Sequence, residues 1–154
     1  MASKRENKFP HLARVLDFRD SLNSETDRGC VIFAVAFLDE ELKVFLTKAF
    51  IDEPKLVSDF FGRNGPLSNF SARIDFAFLM GWLAIAEWRD LHLIRKIRND
   101  FAHYPNPVSF VDEKIQSRCK EFCHSGREKR PTPRQHFTSA VCGGLRRVQL
   151  LHEH

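Results

Sequence analysis

The 154-residue chain has no apolar run long enough to cross a bilayer. Its longest uncharged apolar stretches, Cys30 to Leu38 and Phe76 to Ala86, fall well short of the about 20 residues that a membrane helix needs. No apolar segment follows the charged start of the chain, so no secretory signal is read and a cytoplasmic location is expected by default. Cysteine is sparse. Cys119 and Cys123 are separated by three residues, but no second tight pair accompanies them, and His124 and His136 do not complete a zinc spacing. Neither a metal, a disulfide nor a cofactor is expected, and Cys30, inside an apolar run, reads as a small core residue. No stretch alternates with period two for long enough to make a strand, and no internal repeat is visible. A surplus of one charge is also missing over most of the length. Residues 1 to 115 hold 16 Lys and Arg against 17 Asp and Glu, whereas residues 116 to 154 hold 8 against 3, so the net charge of +4 belongs to the end of the chain. A core that reads nucleic acid would carry a basic stripe on its folded elements, which this pattern does not offer.

What is abundant is phenylalanine, with 15 Phe against a single Tyr, and helical periodicity. The length suits one domain, which excludes separate substrate and cofactor lobes. Leu12, Val15, Leu16, Arg19 and Leu22 mark a thin-faced, peripheral helix over about residues 11 to 22. A long helix is expected from a cap at Ser24 to near Ile51, apolar on nearly every face in its first half and striped at Leu38, Leu42, Phe45, Leu46, Ala49 and Phe50. It should be the most buried element. After Pro54 come a short helix to Phe61, a breaker-rich turn at Gly62 to Pro66, and a second core helix from Phe70 to about Ala84. A helix over Glu87 to Tyr104 turns Leu91, Ile94, either Ile97 or Arg98, and Phe101 inward, and Pro105 and Pro107 stop it. Ser109 and Asp112 open a last helix reaching about Phe122. Beyond it the chain is polar, carries prolines, and is interrupted by Gly143-Gly144. The expectation is an all-α, single-domain bundle of about five to six helices. Residues 1–23 form an N-terminal helix, 24–123 the helical core, and 124–154 a basic, poorly ordered tail.

The densest polar cluster among apolar residues is Arg95, Arg98, Asn99, Asp100 and His103. On a straight helix Asn99 and His103 share a face, whereas Arg98 and His103 stand about 140° apart. One reading makes His103 a general acid or base and Arg98 a clamp on an anionic transition state, as in metal-independent cleavage of RNA. The other pairs Arg98 with Glu25 or Asp27 at the start of the long helix and leaves His103 at a helix C-terminus. An arginine in an inward stripe needs a carboxylate partner, and Asp27 with Arg28 offers the other half of such a network. Phe60, Phe61, Phe70 and Trp88 are the candidates for an exposed apolar contact surface.

Three stretches, Ser24-Glu-Thr-Asp-Arg-Gly-Cys30, Gly65-Pro-Leu-Ser-Asn-Phe-Ser-Ala72 and Ile97-Arg-Asn-Asp-Phe-Ala-His103, together resemble the signature blocks of the mannitol operon repressor family. The resemblance covers about residues 24 to 122. It implies an all-helical, dimeric protein without a recognisable DNA-reading motif, and no helix-turn-helix with a basic second helix is found in the chain. The third block, Arg-x4-His, is also similar to the motif of the HEPN superfamily of helical nucleases, which would give Arg98 the phosphate contact and His103 the proton transfer. The expected function is a non-enzymatic regulator, a transcriptional co-repressor or an inhibitor of a partner protein, acting through protein contacts and as a homodimer. The alternative is a HEPN-like ribonuclease or an inactive relative, with RNA as partner. Direct DNA binding by the basic tail is the weakest reading.

Overall fold

The computed structural model describes residues 10–103, 105–124 and 126–153, and among them there are seven helices and no strand. They are α1 (Pro10–Asn23), α2 (Asp27–Ala49), α3 (Pro54–Phe61), α4 (Phe70–Leu79), α5 (Ile85–Ala102), α6 (Glu113–Cys119) and α7 (Pro133–Leu151). No helix among these is long and apolar enough to cross a membrane. The all-helical class is as expected, with more helices than the five to six expected.

The centre of the bundle is α2, packed on α5 and α7. Its buried positions, Cys30, Val31, Ala34, Val35, Leu38, Leu42, Phe45 and Leu46, recur every three or four residues. The cap is Thr26, whose hydroxyl accepts the Gly29 amide at 3.1 Å. Ser24 instead closes α1, donating to the Ser21 carbonyl at 2.9 Å. Helix α2 thus starts at Asp27, later than a cap at Ser24 would set it. The thin face expected of α1 is deepened by Phe18, buried with Val15 and Leu22, while Leu12 and Leu16 stay exposed.

The apolar stretch from Phe76 to Ala86 is two elements. The amide of Gly81 donates to Phe78 and that of Trp82 to Ala77, with Gly81 at φ +77°, which is the Schellman closure that only glycine enters without strain. Next, α5 begins after Ala84, whose amide is accepted by the Glu87 carboxylate at 2.7 Å. Its inward stripe is Leu91, Ile94, Ile97 and Phe101, so Ile97 takes the core position and Arg98 faces out. The pair at Ser109 and Asp112 forms a turn, the Ser109 amide donating to Asp112, and α6 follows it from Glu113.

The expectation of a poorly ordered tail is corrected by α7. Thr132 and Gln135 form a reciprocal capping box, with Pro133 at the first helical position. Phe137, Val141, Leu145 and Val148 then point inward at spacings of four, four and three, and all are fully buried. Gly143-Gly144, which reads as an interruption, is where α7 comes close to its neighbours. A Cβ on Gly144 would lie 3.2 Å from the Leu91 side chain and 3.7 Å from Leu38. The segment is therefore a core element on α1, α2, α5 and α6.

Truncating the largest of these side chains, Phe137→Ala, should cost about 3–5 kcal/mol in urea unfolding. A change below about 0.5 kcal/mol would show that the segment does not belong to the cooperative core.

Candidate functional site

The polar cluster of α5 divides into braces and free groups. Asp27 does not meet Arg98. Its carboxylate accepts the Phe110 amide at 3.1 Å and pairs with Arg134 of α7 at 2.8 Å. The same guanidinium donates to the Leu22 carbonyl at 2.9 Å and to that of Glu25, so a single arginine gathers the end of α1, the start of α2 and the start of α7. Asp100 is a second brace, paired with Lys114 at 2.9 Å and Arg118 at 3.2 Å across to α6. The expected pairing of Arg98 with Glu25 or Asp27 is thus replaced. Ile97 and Phe101 occupy the inward positions, and Arg98 is carried round to the exposed side of α5. Arg28 is exposed at the first turn of α2, and His103 is exposed where α5 ends, at φ −68° and ψ 128°.

Arg95, Arg98 and Asn99 line one wall of an open groove of about 480 Å³. Its floor is apolar, from Ile32, Val35 and Ala36 of α2 and from Phe70, and its far end is Asn69 and Ser71 at the start of α4. Two of the three stretches that carry the family resemblance, 65–72 and 97–103, therefore meet here. Asp39 is the one carboxylate in the lining, and it is already committed: Arg73 reaches it at 2.6 Å. Arg73 is only 7% exposed, donates Nε to the Leu67 carbonyl at 2.9 Å, and lies over the Phe61 ring at 5.4 Å. This half-buried pair ties α4 to α2. Nothing in the local sequence marks it, since 34 positions separate its members.

On the other side of Arg95, Asp75 accepts from the Trp88 indole at 2.8 Å and from His92 Nε2 at 2.7 Å. These two hydrogen bonds, the indole's foremost, hold the Asp75 carboxyl below its ordinary value. Arg95 Nε donates to His92 Nδ1 at 3.4 Å, which leaves the ring proton on Nε2, facing Asp75. The chain Asp75–His92–Arg95 fixes the base of the Arg95 guanidinium beside the groove. Asp90, buried within α5, accepts the amides of Cys123 and His124 at 2.8 Å each and anchors the segment that follows α6.

Cys119 is buried while Cys123 is exposed. Among the described residues no group of three His, Cys, Asp or Glu side chains is placed to hold a metal ion. Burial pushes the Cys30 and Cys142 thiols up to about 11 and that of Cys119 up to about 12. Of the four aromatic residues expected on a contact surface, Phe70 is buried in the core, Trp88 stacks on Phe78 and bonds Asp75, and Phe61 lies partly buried under Arg73. Phe60 does open to solvent. With Ile51, 88% exposed, and Leu56 it borders an apolar cleft of about 340 Å³ closed by Phe50, Pro66 and Phe76.

Asp27→Ala should cost about 1–3 kcal/mol of stability, because it strands the Phe110 amide and the Arg134 guanidinium. Arg98→Ala should stay within about 0.5 kcal/mol. A chemical-denaturation series that reverses this order would show that Arg98, not Arg134, is the brace. Treatment of the native protein with a thiol-specific chromogenic reagent at neutral pH should modify one cysteine, lost in Cys123→Ser, with the other three reacting only after unfolding.

Comparison with known proteins bears on this arrangement. The profile of the mannitol repressor family matches residues 17–140. No curated protein matches the chain. Among solved structures, a chain of "X-ray structure of the MtlR-HPr complex from Escherichia coli" shares the fold, with a TM-score of 0.74 at 19% identity over 88% of this chain and 98% of that one. The profile match spans α2 to α6, the second half of α1 and the first turns of α7, including every brace described above, and the chain belongs to the mannitol repressor family.

Proposed function

We propose that the chain is a non-enzymatic regulatory protein that acts by binding a protein partner, as a transcriptional co-repressor or an inhibitor of that partner, and that HPr is the partner. The observation that carries this reading is the fold shared with the MtlR–HPr complex over 98% of the neighbour's chain, joined to membership of a repressor family. The charge distribution supports it. Three of the eight Lys and Arg beyond residue 115 are spent inside the fold: Arg134 on Asp27 and two carbonyls, Arg118 on Asp100, and Arg147 on Glu87 and the Trp82 carbonyl. A strip for a DNA backbone needs cations that are free to displace counterions. Among the described residues, no hydrogen bond or ion pair joins Arg98 or His103 to a carboxylate or hydroxyl, which fits a binding role. The reading places the protein in the cytoplasm and, through the family resemblance, as a homodimer.

Calorimetric titration of the full chain with purified HPr should give a saturable complex with a Kd of about 10 μM or tighter, roughly −7 kcal/mol or stronger. Absence of heat and of co-elution at about 100 μM of each protein would overturn the assignment of HPr. Cleavage of RNA in the presence of chelator, abolished by His103→Ala, would overturn the non-enzymatic reading in favour of the HEPN-like one.

A further inference from the structure

We infer that the groove between α2, the start of α4 and α5 is an oxyanion-binding site, in which Arg95 and Arg98 take the phosphate or carboxylate head of a small ligand whose apolar part rests on the groove floor. This goes beyond the binding of a partner protein.

The charge balance is the first argument. Of the groove's titratable groups, Asp39 is already neutralised by Arg73 at 2.6 Å, so no free carboxylate of the lining faces the two guanidinium groups; Asp75, outside the groove, acts on Arg95 from the far side of His92. Among the described residues no hydrogen bond or ion pair is made by the Arg98 side chain, and Arg95 uses only Nε, on His92 at 3.4 Å. Its two terminal nitrogens remain available.

Geometry is the second argument. Arg95 and Arg98 stand three residues apart on α5 and therefore share a face, which suits two guanidinium groups converging on one oxyanion. The network through His92 and Asp75 restrains Arg95 before any ligand arrives, which lowers the ordering cost of binding. Opposite them, Phe70 and Ser71 belong to the first turn of α4, whose amides have no partner within the helix, and Asn69 spends its side chain on the Ala72 amide at 2.9 Å. Ser71 and Asn99 add neutral hydrogen-bonding groups.

Shape is the third. A volume of about 480 Å³ with an apolar floor and a polar wall is of the size and make-up of small-ligand sites. The floor residues Val35 and Phe70 are themselves anchored in the core, so the surface offered to the ligand is preformed.

The test uses the full chain with arginine Nε–H resonances followed by NMR during titration with phenyl phosphate, phenylacetate and, as the uncharged control, benzyl alcohol. At least one anion should shift the Arg95 and Arg98 signals saturably, with a Kd of about 10 mM or tighter, while benzyl alcohol leaves them unmoved. Phenyl phosphate binding with phenylacetate silent identifies a phosphoryl head, and the reverse a carboxylate head. Arg98→Gln, at an exposed position, should keep the thermal midpoint and weaken the bound anion about tenfold, and Arg95→Gln should do the same. Absence of saturation by either anion at about 50 mM, or binding that survives Arg95→Gln/Arg98→Gln together, would overturn the site. The probes contain no protein, so this outcome is independent of whether HPr binds.

Discussion

The fold depends on closing α7 over α1, α2 and α5. Burying Phe137, Val141, Leu145 and Val148 is worth about 1.5–3 kcal/mol each against leaving them in water, a gross sum comparable to the about 5–15 kcal/mol net stability of a whole domain. Without that face covered, α2 and α5 would expose Leu38 and Leu91, which Gly144 lets α7 approach closely. The Asp27–Arg134 pair acts on this closure by direction. Its sum of one carboxylate contact and two carbonyl contacts fixes where α7 begins relative to the α1–α2 corner. The exposed part of such a pair contributes modestly to stability, and its weight lies in geometry.

The same assignments of charge decide what is left for function. Four carboxylates near α5 have takers: Asp27 has Arg134, Asp100 has Lys114 and Arg118, Asp39 has Arg73, and Asp75 has His92 and Trp88. Structural demands thus absorb most acidic groups around the helix while Arg98 stays outside the accounting. A surface arginine with no local partner would draw little notice alone. Beside a second restrained arginine and an apolar floor it becomes a recognition element, because both cations face one concavity. The apolar cleft at Ile51 and Phe60 lies elsewhere, beside α3, a helix with no buried residue among those described.

Much of this was legible from local pattern. The stripes of α2 and α5 show in their three- and four-residue spacings, and Pro54 and Pro105 punctuate the chain where their backbone chemistry requires. The end of α4 does not show locally, because an unbroken apolar run hides a Schellman turn, in which one glycine's φ outweighs the hydrophobicity around it. Helix α7 is obscured for a different reason. Thr132-Pro-Arg-Gln135 and the spacing of Phe137, Val141, Leu145 and Val148 are a full helix-start signature, but the diglycine and the basic surroundings suggested a tail. Glycine in a helix costs about 1 kcal/mol, which close packing against Leu91 and Leu38 offsets. At the site, Arg95, Arg98 and Asn99 stand out locally as members of one polar cluster. Pairings such as Asp27 with Arg134, 107 positions apart, and Asp39 with Arg73 are tertiary and have no local trace.

Amide hydrogen exchange on the native chain tests this account most directly. If α7 completes the core, the amides from Phe137 to Val148 exchange only through global opening, with free energies matching those of α2 and α5. Exchange of that segment at near-unprotected rates, with α2 and α5 still protected, would contradict it.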